Sequence, residues 1–189
     1  MNRPGTNGFA PGTVIGRRYE ILRPLRWEPH GMVYLARDQI LEVEVGLKFL
    51  PNDEPDFDRF LDCYRREAVL GLKLRHPQIL GVQQLDETTD GIFLIQEPCQ
   101  GNSLAELLSH SNLLTQDDAV YLMEVLAQGL SFAHKQGLSH QYLHPGQILI
   151  SATEGIKIAN FAFPPDLASV RRDWEAAAYL PPEIWEGKE

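Results

Sequence analysis

Leu138 to Ala162, reading LSHQYLHPGQILISATEGIKIANFA, is the stretch that decides the fold. Ile148, Leu149 and Ile150 make a short apolar run, Ser151 to Gly155 supply turn residues, and Ile156 and Ile158 return as a second run. Two apolar runs around such a turn predict a β-hairpin. Polar clusters flank it: His140-Gln141-Tyr142 before the first strand and Asn160-Phe161-Ala162 after the second. Either cluster alone is compatible with an ordinary polar loop. Together, at this separation, they are hard to explain as core.

Composition narrows the class. The chain has 189 residues and 43% hydrophobic content, enough for one sizeable core or two small lobes and too apolar for a disordered chain. Acidic residues outnumber basic ones 26 to 17, for a net charge of -9, which argues against nucleic acid or an anionic membrane as partner. No apolar run approaches the ~18 residues of a membrane span. The opening residues MNRPGTNGFAPG lack the apolar core of a signal peptide and read as a flexible lead-in. Cys63 and Cys99 stand far apart without a C-x-x-C pattern, so neither a disulfide framework nor a zinc site is expected. A reducing cytoplasm suits this pattern.

The two clusters around the hairpin resemble the catalytic loop (H-R-D-L-x-x-x-N) and metal-binding loop (D-F-G) of protein kinases. Laid on those patterns, Tyr142 stands at the base aspartate, Gln147 at the metal-binding asparagine and Asn160 at the metal-binding aspartate. His144 replaces the catalytic-loop lysine, Ala162 the glycine, and Gln141 the arginine that receives an activation-segment phosphate. Phosphoryl transfer needs carboxylates to hold magnesium and to accept the substrate proton, and none of these positions is a carboxylate. The resemblance therefore implies a kinase fold without kinase chemistry, with no catalytic residue and no metal ligand.

Upstream, YEILRPL, MVYLARD and EVEVGLKFL predict antiparallel strands from Tyr19, interrupted by the polar RWEPHG. The interruption aligns with the kinase glycine-rich loop, with Gly31 its surviving glycine and Val33 its valine. Glu28 brings negative charge toward an anion site, and Pro29 removes a backbone donor. On the bare pattern, RWEPHG is also a plain hairpin. Val45-Gly46-Leu47-Lys48 resembles V-A-I-K with its lysine retained. Asp56 to Leu74 predicts a helix, with Phe57, Phe60, Leu61, Tyr64, Ala68 and Leu72 at helical spacing. The resemblance makes its Glu67 the partner of Lys48. ILGVQQL and GIFLIQ predict two more strands, the second running into Gln96-Glu97-Pro98-Cys99, where Glu97 and Cys99 match the hinge backbone that faces adenine. With Leu149, these residues define a vestigial nucleotide site: Gly31, Val33, Lys48, Glu67, Glu97, Cys99, Leu149. Residual ATP binding there would be weak and metal-independent, and no cofactor is expected.

Two capping boxes follow. One opens a short helix at Ser103-Leu104-Ala105-Glu106, and the other a longer helix from Thr115-Gln116-Asp117-Asp118 to about His134. The longer helix carries a core stripe of Ala119, Leu122, Met123, Leu126, Leu130 and Ala133. Pro181-Pro182-Glu183 matches the A-P-E that closes the activation segment, whose hydroxyl residues before it are Ser169 and Tyr179. The expected fold is α+β and protein kinase-like: an N-terminal antiparallel β-sheet lobe with one long helix, then a truncated, mainly α lobe. Residues 1–18 are the lead-in, 19–97 the first lobe and 98–189 the partial second lobe. The expected function is that of a bacterial-type serine/threonine pseudokinase acting as a binding or regulatory scaffold. It would dock a protein partner, either an active kinase or a second copy of itself, through a surface left bare at Trp174, Leu180, Ile184 and Trp185. The alternative is an atypical serine/threonine kinase or ATP-binding protein with residual activity.

Overall fold

The computed structural model describes residues 8–28, 31–52, 56–110, 114–162, 178–180 and 182. The chain divides into two compact units. One takes the chain as far as Leu72 together with Gly81–Gln100, and the other takes Lys73–Leu80 and the chain from Gly101 onward.

The first unit is built on a six-stranded sheet of β1 (Val14–Ile15), β2 (Tyr19–Glu28), β3 (Gly31–Asp38), β4 (Val43–Leu50), β5 (Val82–Thr88) and β6 (Gly91–Gln96). Its order is β1-β2-β3-β4-β6-β5, with every neighbouring pair antiparallel. Alternating apolar residues in these strands put Tyr19, Ile21, Tyr34, Ala36, Val45, Leu47, Phe93 and Ile95 into one core cluster. Burying a large apolar side chain of this kind stabilises by ~1.5–3 kcal/mol. The sheet reaches into the stretch expected as a flexible lead-in: Val14 pairs with Glu20, Ile15 is fully buried, and Phe9 packs edge-on against Tyr34 and Phe49. RWEPHG does not break the strands either. β2 runs through Arg26, Trp27 and Glu28, and Glu28 pairs with Gly31 across the turn.

Helix α1 (Phe57–Gly71) lies between β4 and β5 in sequence. Its buried residues are Phe60, Cys63, Tyr64, Glu67 and Gly71, at spacings of three and four. The expected stripe is thus rotated. Leu72 falls outside the helix and is 64% exposed, whereas Glu67 lies on the inner face.

In the second unit, β7 (Asn102–Ser103), β8 (Ile148–Ser151) and β9 (Gly155–Ile158) form a small antiparallel sheet, which contains the expected hairpin. The expected strand from Ile79 begins later, at Val82. Ile79 and its neighbours instead dock on β9, with Leu80 N–H donating to Ile158 O and Ile158 N–H to Gln78 O, each at 2.8 Å. Helices α2 (Leu104–Ser109) and α3 (Gln116–Lys135) both start at complete capping boxes, Ser103 with Glu106 and Thr115 with Asp118. Each box satisfies two backbone donors that a helix start leaves open. The buried face of α3 is Leu122, Val125, Leu126, Gly129 and Ala133. Met123, expected in the core, is 64% exposed, because position 129 carries a glycine that lets the helix approach Gln78 and Ile158 and so sets which side faces inward.

A sheet with one long helix, followed by a mainly helical unit, is the expected α+β architecture. Leu180 is buried at 7% exposure, against the expectation of a bare surface. Trp174, Ile184, Trp185, Ser169, Pro181 and Glu183 lie outside the described residues, as do Pro29 and His30. Among the described residues, no helix is long and apolar enough to cross a membrane.

Candidate functional site

Strand register sets the candidate residues of the first unit. Arg26 pairs with Val33, and Val33 with Lys48, so the three form one row across β2, β3 and β4 and point to the same face of the sheet. Glu28, two residues from Arg26, shares that face, while Trp27 between them points outward and is 44% exposed. The row is closed from water: Lys48 and Val33 are fully buried, Glu28 is 6% exposed and Arg26 8%. Buried charges must be paired or leave the charged state, and these are paired. Lys48 Nζ stands 2.6 Å from Glu28 Oε2, and Arg26 Nε donates to Glu28 Oε1 at 2.9 Å. Sequence points to Glu67 as the partner of Lys48, and Glu67 is indeed buried, on the face of α1 that carries Tyr64, whose ring lies 5.5 Å from Lys48 Nζ. Glu28 is a partner that the motif does not supply. Arg26, which sequence reasoning passed over, is held here too. The R-x-E spacing within a strand was the available signal.

The hinge residues are engaged as well. Arg26 Nη1 donates to Cys99 O at 2.9 Å, and Cys99 N–H donates to Glu97 O at 2.9 Å. The backbone donor and acceptor that the resemblance offers to adenine thus bond to each other. Gly31 has φ +148°, and a Cβ there would overlap the carbonyl oxygen of Phe49 and lie 2.8 Å from the Tyr64 hydroxyl. Close packing of the β2–β3 turn on β4 is therefore sufficient reason for glycine at this position.

The second unit holds the other residues. A 3-10 turn, Pro145–Gln147, capped by His144, leads into β8 and places Gln147 at 3% exposure. Asn160 follows β9 with φ +64°, a left-handed conformation that asparagine tolerates better than most residues. Asn160 Nδ2 donates to Gln147 Oε1 at 2.6 Å, and Gln147 Nε2 lies 3.0 Å from His144 Nε2. Gly146 N lies 3.2 Å from His144 Nδ1, and a neutral imidazole has one bare nitrogen, so the ring accepts from one of these two donors at a time. Tyr142 is half-buried, its ring 4.7 Å from that of His144. Leu149 is buried in β8 between Ser103 and Lys157. His140 anchors the loop: Nε2–H donates to Ala159 O at 2.8 Å, the ring lies 4.6 Å from Phe161, and Nδ1 has no partner. Burial pushes its pKa down to about 4, so the ring is neutral near pH 7.

A family model described as the protein kinase domain matches residues 29–189. The chain belongs to that family. Among curated relatives, it is 32% identical over 158 residues to the serine/threonine-protein kinase PrkC of Bacillus subtilis, covering 84% of this chain and 24% of the relative. It is 31% identical over 186 residues to PknA of Corynebacterium glutamicum, covering 93% of this chain and 40% of the relative. Against mouse Aurora kinase B the identity is 31% over 186 residues, covering 97% and 53%. The chain thus spans about a quarter to a half of the length of these relatives. A double mutant of the Mycobacterium tuberculosis PknI kinase domain matches its fold with a TM-score of 0.76 at 22% identity, covering 96% of this chain and 71% of that one.

Kinase domains bring magnesium to residues that flank this hairpin, one before its first strand and one after its second, so the fit of Gln147 and Asn160 to that ion can be judged. Magnesium is held through charged oxygens such as carboxylates and phosphates. Gln147 and Asn160 carry no charge, and one lone pair of the Gln147 oxygen accepts from the Asn160 amide. The pair does not fit a magnesium site. Among the described residues, no group of three or more His, Cys, Asp or Glu side chains offers a substitute.

Proposed function

We propose that this kinase domain is a pseudokinase that works by binding, as a docking or regulatory module for a protein partner, rather than by transferring phosphate. The observation that carries the proposal is the 2.6 Å hydrogen bond between Asn160 and Gln147. At the two metal-holding positions a pair of amides satisfies itself, where a kinase has an anionic oxygen that is left unsatisfied until a cation arrives. Tyr142 at the base position supports the same conclusion, because a phenol with an ordinary pKa near ~10 is protonated at neutral pH and accepts no proton from a substrate hydroxyl. The partner is an active kinase or a second copy of this chain. The cytoplasm is the compartment consistent with two buried cysteines, Cys63 and Cys99, that are not joined in a disulfide.

A second reading, an atypical serine/threonine kinase with residual activity, is favoured by the relatives, whose names are those of protein kinases. Radiolabelled ATP separates the two. The expected result is no transfer to the protein itself or to generic protein substrates, with magnesium or manganese. Transfer that disappears in Lys48→Met would establish the second reading and refute the first.

A further inference from the structure

We propose that Glu28 is a built-in anion that occupies this domain's own phosphate site and keeps polyanions out of it. The proposal deepens the pseudokinase reading and concerns the charged row of the first unit, which owes nothing to the amide pair. Each oxygen of the Glu28 carboxylate faces a different cation: Oε2 the ammonium of Lys48 at 2.6 Å, and Oε1 the guanidinium of Arg26 at 2.9 Å. Phosphate oxygens would make the same two contacts, and a side chain already in place competes at a very high effective concentration. Arg26 extends the closure toward the hinge through Cys99 O, beside the Cys99 N–H to Glu97 O bond. What the site would recognise, once opened, is therefore anionic charge and not the edge of a base.

The closed state is not fully satisfied. Arg26 Nη2 and Gln96 Nε2 are buried donors without an acceptor. Buried donors are normally bonded, and Arg26 Nη2, on the guanidinium that already holds Glu28, is a group that a bound oxyanion could satisfy. Removing the Glu28 charge takes away the carboxylate that Arg26 and Lys48 share, so a row in which two cations already face one anion becomes more cationic.

The experiment measures binding of pyrophosphate, ATP and adenosine by calorimetry in the presence of EDTA, to the unsubstituted chain and to Glu28→Gln. The expected result is no binding to the unsubstituted chain, and a gain of about tenfold or more in affinity for pyrophosphate and ATP, but not adenosine, in Glu28→Gln. Equal pyrophosphate binding by both proteins, or a folded Glu28→Gln that gains nothing, overturns the proposal. Should Glu28→Gln fail to fold, Glu28→Ala is read in the same way. Independently of any variant, the Lys48 ammonium nitrogen resonance of the unsubstituted chain should report a protected, hydrogen-bonded group, and free exchange with solvent would also overturn the proposal. Phosphotransfer assayed on the same preparations keeps the two ideas apart. Activity in the unsubstituted chain refutes the pseudokinase reading, whereas the anion result bears on Glu28 alone.

Discussion

Acid should loosen the second unit through one residue, His140. The ring is 4% exposed, donates through Nε2 to Ala159 O, and has no partner at Nδ1. Protonation would place a charge among Phe161 and Ala159 with nothing to receive the second N–H, and nearby His144 opposes it further. The folded pKa is about 4, against 6.5 for the free side chain. Because the folded state holds the proton less well, the unfolded state binds more protons between these values, and stability falls as pH drops. The full contribution is present above pH ~6.5 and gone below pH ~4, and at ~1.36 kcal/mol per pKa unit it amounts to about 3 kcal/mol. About 2 kcal/mol of it should be lost by pH ~5, before most carboxylates titrate. The assay is urea unfolding from pH 7 to 5, comparing the unsubstituted chain with His140→Phe, together with the imidazole NMR titration. His140→Phe should cost about 1 kcal/mol at pH 7 for the lost hydrogen bond and should be flatter with pH. A His140 that titrates near 6.5, or two parallel stability curves, would refute the reasoning.

Two further outcomes follow from the first unit. Gly31→Ala should destabilise by about 2–4 kcal/mol in chemical denaturation, since the new methyl meets the Phe49 carbonyl and φ is +148°; a change below ~0.5 kcal/mol would mean that the β2–β3 turn yields freely. Lys48→Met should cost about 3 kcal/mol by leaving a buried carboxylate with one cation fewer, and combining it with Glu28→Gln should cost less than the sum by about 1–3 kcal/mol. Strict additivity in that double-mutant cycle would show the pair to be uncoupled.

What could be read from the sequence was what short-range chemistry fixes. The hairpin of Ile148–Ser151 and Gly155–Ile158, the capping boxes at Ser103 and Thr115 and the order of strands around α1 all follow from turn residues, caps and apolar period within a few positions of one another. Motif spacing is equally legible, so Lys48, Gln147 and Asn160 follow from the sequence, as does the absence of carboxylates at Tyr142, Gln147 and Asn160. The rotation of α1 and α3 was less visible, because Leu72 and Met123 fit a helical stripe as well as Cys63 and Val125 do until the neighbouring elements select a face. The contacts of the site were legible only in outline, as a negative charge at Glu28 near an anion site, and their partners were not. RWEPHG reads as a polar interruption aligned with the glycine-rich loop or as a plain hairpin, and the hairpin is what pairs: Arg26 with Val33 and Val33 with Lys48, which turns Glu28 onto Lys48. A slip of one residue in that register would send Arg26 and Glu28 to the opposite face, with Trp27 inside. Sequence therefore determined which groups are present at the site. Only the tertiary structure, through cross-strand register and the burial that forces charges to pair, decided that the lysine faces a carboxylate from its own sheet.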